Sequence, residues 1–299
     1  MLAAFSKTIS WPRVYVHLWP KEVLVKKKRK SKNKITGGFS LKTILRTITM
    51  SFVFLLFFNA FTYAQSANEL YQFSTINALL QGVYDGELTI KDLKKQGSFG
   101  IGTLNGLDGE LIGLDGDYYQ VKANGDVLKL TDDTKIPFAT SLTFKSDRAA
   151  RFHALDYENL QNALDQMKND TNYFYAIRID GVFTKVLTRA IPKQSKPYKP
   201  LAEAAKEQHV FELTNIKGTV IGFWCPQYIN GINVPGYHLH FISEDRKFGG
   251  HILTASLQTG NVQMSRIHAF RMELPQGASG FGAAALNKDY SKELKAIEQ

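Results

Sequence analysis

The sequence predicts an α+β chain (mixed α/β) built as two sheet-rich halves, with mostly antiparallel or mixed β-sheets. Three observations carry that expectation. Turn-forming pairs recur at Asp85-Gly86, Asp108-Gly109, Asp115-Gly116, Asn124-Gly125 and Asp180-Gly181, the chemistry of tight connections between antiparallel strands. Short alternating or apolar runs fill the spaces between them, and few stretches have helical spacing. A Pro/Lys-rich segment at 192–200 then divides the chain, which reads as a crossing between the halves.

The elements follow in order. Residues 70–84 have helix-compatible apolar spacing that ends at Asp85-Gly86. Segments 98–104, 110–114, 118–122 and 127–130 read as a meander, and 157–167 reads as a helix. Residues 174–179 and 182–191 read as a hairpin about Asp180-Gly181. Beyond the Pro/Lys segment, 218–224, 237–243, 250–258 and 261–274 read as strands, and the polar stretch 287–299 as a terminal helix.

The chain has 299 residues, 44% of them hydrophobic, which is enough for a sizeable core. Its net charge of +10 suggests nucleic acid until it is located. Residues 1–64 hold 12 Lys/Arg against one acid, Glu22, for a net of +11, and the remainder carries −1. A near-neutral domain with no basic stripe and no stacking motif excludes a nucleic-acid partner. The tail has the order of an export signal: a basic run at 26–34, Lys42 and Arg46, an apolar stretch at 48–61, then Ala64. That stretch is short for a spanning helix. The expectation is a signal peptide cut near Ala64 and an exported protein, periplasmic or extracellular, that meets a membrane only through that signal. The organisation is therefore 1–64 basic extension plus signal peptide, 65–199 first sheet-rich half, 200–299 second half. The single cysteine, Cys225, excludes a disulfide framework and reads as a small buried hydrophobe.

Of seven histidines, three crowd together: His238, His240 and His251. The strand period of two puts His238 and His240 on one face, about 7 Å apart along the backbone, with Leu239 and Phe241 on the other. An antiparallel neighbour brings His251 beside them. Three imidazoles on adjacent strands make an open metal site suited to zinc, copper, iron or nickel. His153, His209 and His268 are isolated and read as structural.

At these residues the chain resembles the acetolactate decarboxylase family. The strings are Gly100-Ile-Gly-Thr-Leu-Asn-Gly-Leu-Asp-Gly-Glu-Leu-Ile-Gly-Leu-Asp-Gly116, Tyr173-Phe-Tyr-Ala-Ile-Arg-Ile-Asp-Gly181, Gly218-Thr-Val-Ile-Gly-Phe223, Gly236-Tyr-His-Leu-His-Phe241 and Gly249-Gly250-His251. They occur in the family's order over roughly 68–299. The resemblance implies a zinc enzyme, with other divalent metals possible, that converts 2-acetolactate to acetoin and carbon dioxide. It implies His238, His240 and His251 as metal ligands, and Glu110, Arg189 and Glu298 as catalytic residues, with Glu293 the alternative match for Glu298. It further implies a metal site between the two halves, Glu110 and Arg189 in the first and the histidines in the second, and a homodimer acting on a small 2-hydroxy-3-oxo acid.

The chemistry is self-consistent. A β-keto acid carries its own electron sink, and a divalent cation lowers the barrier as a Lewis acid without an organic cofactor. Two rivals remain open from the residues alone. His238-Leu-His240 followed by Glu244 fits part of a cupin-type site, suggesting a dioxygenase or epimerase with Glu244 as ligand. An exported metal-binding module would keep the histidines without turnover.

Overall fold

A computed structural model describes residues 68–298 apart from Ala278. The basic extension and the signal-peptide reading lie outside the described residues. The chain opens with β1 (Glu69–Phe73), α1 (Ile76–Leu80), β2 (Leu88–Thr89) and α2 (Ile90–Gln96), followed by the meander β3 (Phe99–Thr103), β4 (Glu110–Leu114), β5 (Asp117–Val121) and β6 (Val127–Lys129). Next come β7 (Lys135–Ile136), β8 (Phe138–Leu142), β9 (Arg148–Leu155), α3 (Tyr157–Met167), β10 (Phe174–Ala190) and α4 (Leu201–Ala204). The remainder is β11 (His209–Cys225), β12 (Gly236–Ser243), β13 (Gly249–Ile267), β14 (Ala269–Glu273) and α5 (Ser291–Glu298).

Seven strands form one sheet in the order β14-β1-β8-β3-β4-β5-β6. Its pairings are antiparallel except for β1 with β14. The other large sheet runs β10-β11-β12-β13-β9, and β10 also pairs with β13, so the ladder closes on itself. The sheets face each other through Phe99, Ile101, Ile112 and Val121 on one side and Ala176, Ile221, Phe223 and Ile242 on the other. Within the closed sheet, Ile177, Phe183, Val220, Leu239, Phe241 and Met264 form a second cluster, sealed by Leu160 and Leu164 of α3. Local chemistry sets the helix starts. Thr75, Thr89 and Asp156 each accept a backbone N–H of the first turn, the role short oxygen-bearing side chains serve at N-caps.

The α+β class and the meander agree with the sequence. The expected strands 250–258 and 261–274 are instead one strand, β13, followed by β14, and three further features differ. Residues 69–73 form a strand and only 76–80 a helix, because Leu70 to Phe73 are all buried between β8 and β14, and a fully buried strand does not alternate. Residues 174–190 form one strand and not a hairpin. Gly181 lies opposite both Gly218 and Gly260, and a Cβ there would sit 2.5 Å from the Thr259 carbonyl oxygen. The glycine admits a close neighbour and makes no turn. Asp180 beside it accepts from Arg178 and Thr219. Finally, the sheets do not part at the Pro/Lys segment. β9 and β10 join the later strands while β14 returns to the first sheet, so Arg189 sits on the same sheet as the histidines.

Gly181→Val is expected to destabilise the protein by about 2 kcal/mol or more, since overpacked backbone contacts have no flexible neighbour to give way. Chemical denaturation checks this; a variant of wild-type stability contradicts the continuous strand.

Candidate active site and metal centre

β12 alternates as its sequence demands: Leu239 and Phe241 enter the core of the closed sheet, so His238 and His240 project from the opposite face. His251 begins β13 directly across from His240 in the antiparallel ladder. The glycines before it allow this. Gly250 has φ +134°, and a Cβ there would lie 2.6 Å from the Arg189 carbonyl oxygen, while Thr188 donates to the Gly249 carbonyl at 2.9 Å. The three rings stand with centroids 5.2, 5.1 and 5.4 Å apart, and one ligand atom from each lies within 4.8 Å of the others.

Two carboxylates and one guanidinium complete the cluster. Glu110 heads β4, with Oε2 3.6 Å from His240 Nε2 and Oε1 3.8 Å from Arg189 Nη1. Arg189, near the end of β10 and paired in register with His251, is only 2% exposed. Glu298, in the last turn of α5, bridges it to the histidines. Its Oε1 is 3.2 Å from Arg189 Nη2, and its Oε2 lies 3.4 Å from His238 Nε2 and 3.8 Å from His251 Nδ1. Arg189 Nη2 also donates to the Ile297 carbonyl. Leu294 and Ile297 anchor α5 against Ile76, Tyr84 and Val234. Glu293 is exposed, so the C-terminal glutamate at the site is Glu298.

The six residues expected from the sequence thus converge. Glu244 does not join them; it is exposed and paired with Lys217 at 2.6 Å. Nor does Cys225, buried in the sheet–sheet core, where burial pushes its thiol upward. One contributor escaped sequence reasoning. The Leu111 carbonyl lies 3.1 Å from His240 Nδ1. A carbonyl can only accept, so Nδ1 carries the proton and Nε2 keeps its lone pair toward the cluster. A backbone oxygen has no side-chain signature.

The donor set fits a divalent cation. His240 Nε2, His251 Nε2 and Glu298 Oε2 are buried with no hydrogen-bond partner among the described residues, a cost that ligation removes. Burial lowers the pKa of all three imidazoles, leaving them neutral as ligands must be. Burial pushes the Glu110 carboxyl up to about 7, against the pull of Arg189.

The family profile described as alpha-acetolactate decarboxylase matches residues 70–288. The chain belongs to the alpha-acetolactate decarboxylase family. By that membership it is an enzyme of the carboxy-lyase class. An alpha-acetolactate decarboxylase of Methanosarcina mazei is 44% identical over 236 residues, covering 78% of this chain and 81% of its own length. That of Bacillus subtilis is 41% identical over 235 residues, covering 78% and 92%. The crystal structure of the alpha-acetolactate decarboxylase from Bacillus subtilis strain 168 covers 77% of this chain and 99% of its own, with a TM-score of 0.75. The matched family segment holds Glu110, Arg189 and the histidines, and stops before Glu298.

The burial of these groups sets a pH dependence for the metal-free protein. The folded imidazoles stay neutral where the unfolded ones protonate, below about 6.5, so their contribution to stability is present above that pH and lost below it. Glu110 acts in the opposite sense: its raised pKa favours the fold at low pH and is lost as pH rises through about 7. Three imidazoles outweigh one carboxyl. Thermal melts of stripped protein are expected to fall as pH drops from about 7 to about 5, more steeply in Glu110→Gln. Melts that rise on acidification contradict this reading.

Proposed function

We propose that this chain is a metal-dependent acetolactate decarboxylase, taking 2-acetolactate to acetoin and carbon dioxide with zinc held by His238, His240 and His251. The observation that supports it most is the convergence of three neutral, buried imidazoles with a buried arginine and a carboxyl raised to about 7. Three nitrogens with an open position suit zinc.

When bound, a divalent cation supplies Lewis-acid stabilisation to the substrate's oxygens. The chain's own residues do the rest. Arg189, held in a dry setting, pairs with the substrate carboxylate or with the oxyanion that grows as it departs. The bond between C2 and the carboxylate breaks, carbon dioxide leaves, and the electron pair moves onto the neighbouring ketone oxygen to give an enediolate. Glu110, in its protonated form, then delivers its proton to carbon. Delivery from one fixed side sets the configuration of the product. Glu298 orients Arg189 and keeps its second oxygen turned toward His238. Leu111 fixes the His240 tautomer through its carbonyl.

Acetoin formation from racemic acetolactate tests the reading. Turnover is expected to disappear with a chelator and return with zinc. His240→Ala is expected to lose at least about 100-fold, exceeding the effect of losing an outer partner of a metal ligand. Glu110→Gln is expected to lose about 10²- to 10⁴-fold, the range for a missing general acid, while still binding metal. Deleting the last six residues is expected to lower both metal content and rate. A folded, metal-loaded protein without turnover sinks the proposal. Glu244→Ala separates it from the cupin alternative, which expects metal loss; here metal binding survives.

The proposal includes export and a homodimer. The protein recovered from its source is expected to begin near Gln65 by N-terminal sequencing and to sediment as a dimer. A retained 1–64 segment contradicts the first, and a monomer the second.

A further inference from the structure

Glu298 also closes one end of a cleft. This space, about 420 Å³ in volume, opens between α5 and the turn at 226–235 that leads into β12. Val234, Pro235, Leu294, Lys292, Lys295 and Glu298 line it. Glu298 is the residue this cleft shares with the site, where its carboxylate touches Arg189 and His238. His238, which Glu298 contacts, is 9% exposed, against 0% for His240 and 2% for His251, so it is the one of the three nearest solvent. The cavities around Gly181, Phe211 and Gly231 contain none of the six site residues in their walls.

The cleft has a charge pattern that follows from helical spacing. Ser291, Lys295 and Glu298 stand at i, i+4 and i+7 on one face of α5, with Lys292 beside them. Both lysines are exposed. Neither Lys292 nor Lys295 forms an ion pair among the described residues, although Lys292 is near enough to Asp289 at the start of the helix to favour its charged form. Glu293 lies two positions from Lys295 and so on the other side. Glu298 has its charge engaged by Arg189. The rim is left positive.

We propose that this cleft is the substrate's way in, and that Lys292 and Lys295 draw a small carboxylate anion through it toward Arg189. The inference rests on the decarboxylase reading and adds an access route and two residues that set the capture of anionic substrate. An anion in a walled cleft feels such charges more strongly than at an open surface, and salt screens the attraction.

The experiment is steady-state kinetics on acetolactate at low and high ionic strength, with the zinc-loaded full chain and its K292Q/K295Q variant. The variant is expected to lose about three- to tenfold in kcat/KM at low salt, the scale of two partly screened charges, with kcat held within about twofold. Its salt dependence flattens, and K292E/K295E falls further. Unchanged zinc content and melting confirm that the fold is intact. Wild-type kcat/KM and salt dependence in the glutamine variant overturn the proposal. So does a fall in kcat at constant KM, which would make the lysines supports of α5. A folded, zinc-loaded wild type that turns over no acetolactate sinks the underlying reading instead.

Discussion

A buried arginine is the constraint on which the rest of this site depends. Removing a guanidinium from water costs several kcal/mol unless opposite charge and hydrogen bonds accompany it, and Arg189 is 2% exposed. Its partners come from distant parts of the chain. Glu110 arrives on the seven-stranded sheet and Glu298 on the terminal helix, while Arg189 itself belongs to the closed sheet. Neutralising one charge therefore fastens three pieces of structure together. The balance is deliberately uneven: two carboxylates face one cation and three neutral rings. Burial lifts Glu110 to about 7, and a divalent cation among the imidazoles would add positive charge that favours its ionised form.

Much of this was legible in the chain. The period of two in β12 put His238 and His240 on one face, and the short connection after Ser243 brought His251 opposite His240. The 157–167 helix carries its own N-cap, Asp156, and its two buried leucines lie four apart. What failed to read did so for identifiable reasons. Asp180-Gly181 has turn chemistry, but its glycine answers a steric demand from Thr259 that only the third strand creates. The first half of β11, from His209 to Lys217, pairs along β10 yet is largely exposed, and its short apolar alternation of Phe211 and Leu213 is broken at Asn215, where φ is +49°. The choice between Glu298 and Glu293 depends on which face of α5 docks, and that is settled by Leu294 finding the pocket around Ile76 and Tyr84.

The placement of Arg189 shows how a residue can be read into the wrong neighbourhood. The Pro/Lys segment after β10 has the composition of a domain crossing, yet the Gln194 N–H within it donates to the Gly106 carbonyl of the first sheet's loops. Composition reports local stiffness and solvation; it does not report which sheet a preceding strand has joined. Strand pairing between residues 60 or more apart decided that, through the Arg189–His251 register.

The hydrogen bond from His240 to Leu111 ties ligand geometry to strand register. Glu110 and Leu111 are neighbours on β4: the first offers its side chain to the cluster, while the second buries its side chain on the far face and lends only its carbonyl. One inserted residue between Asp108 and Glu110 would exchange these two faces, removing the acid and the tautomer lock together while leaving every apolar residue present. In evolutionary terms, the approach to β4 has a fixed length. Lineages of this fold should diverge there by substitution alone.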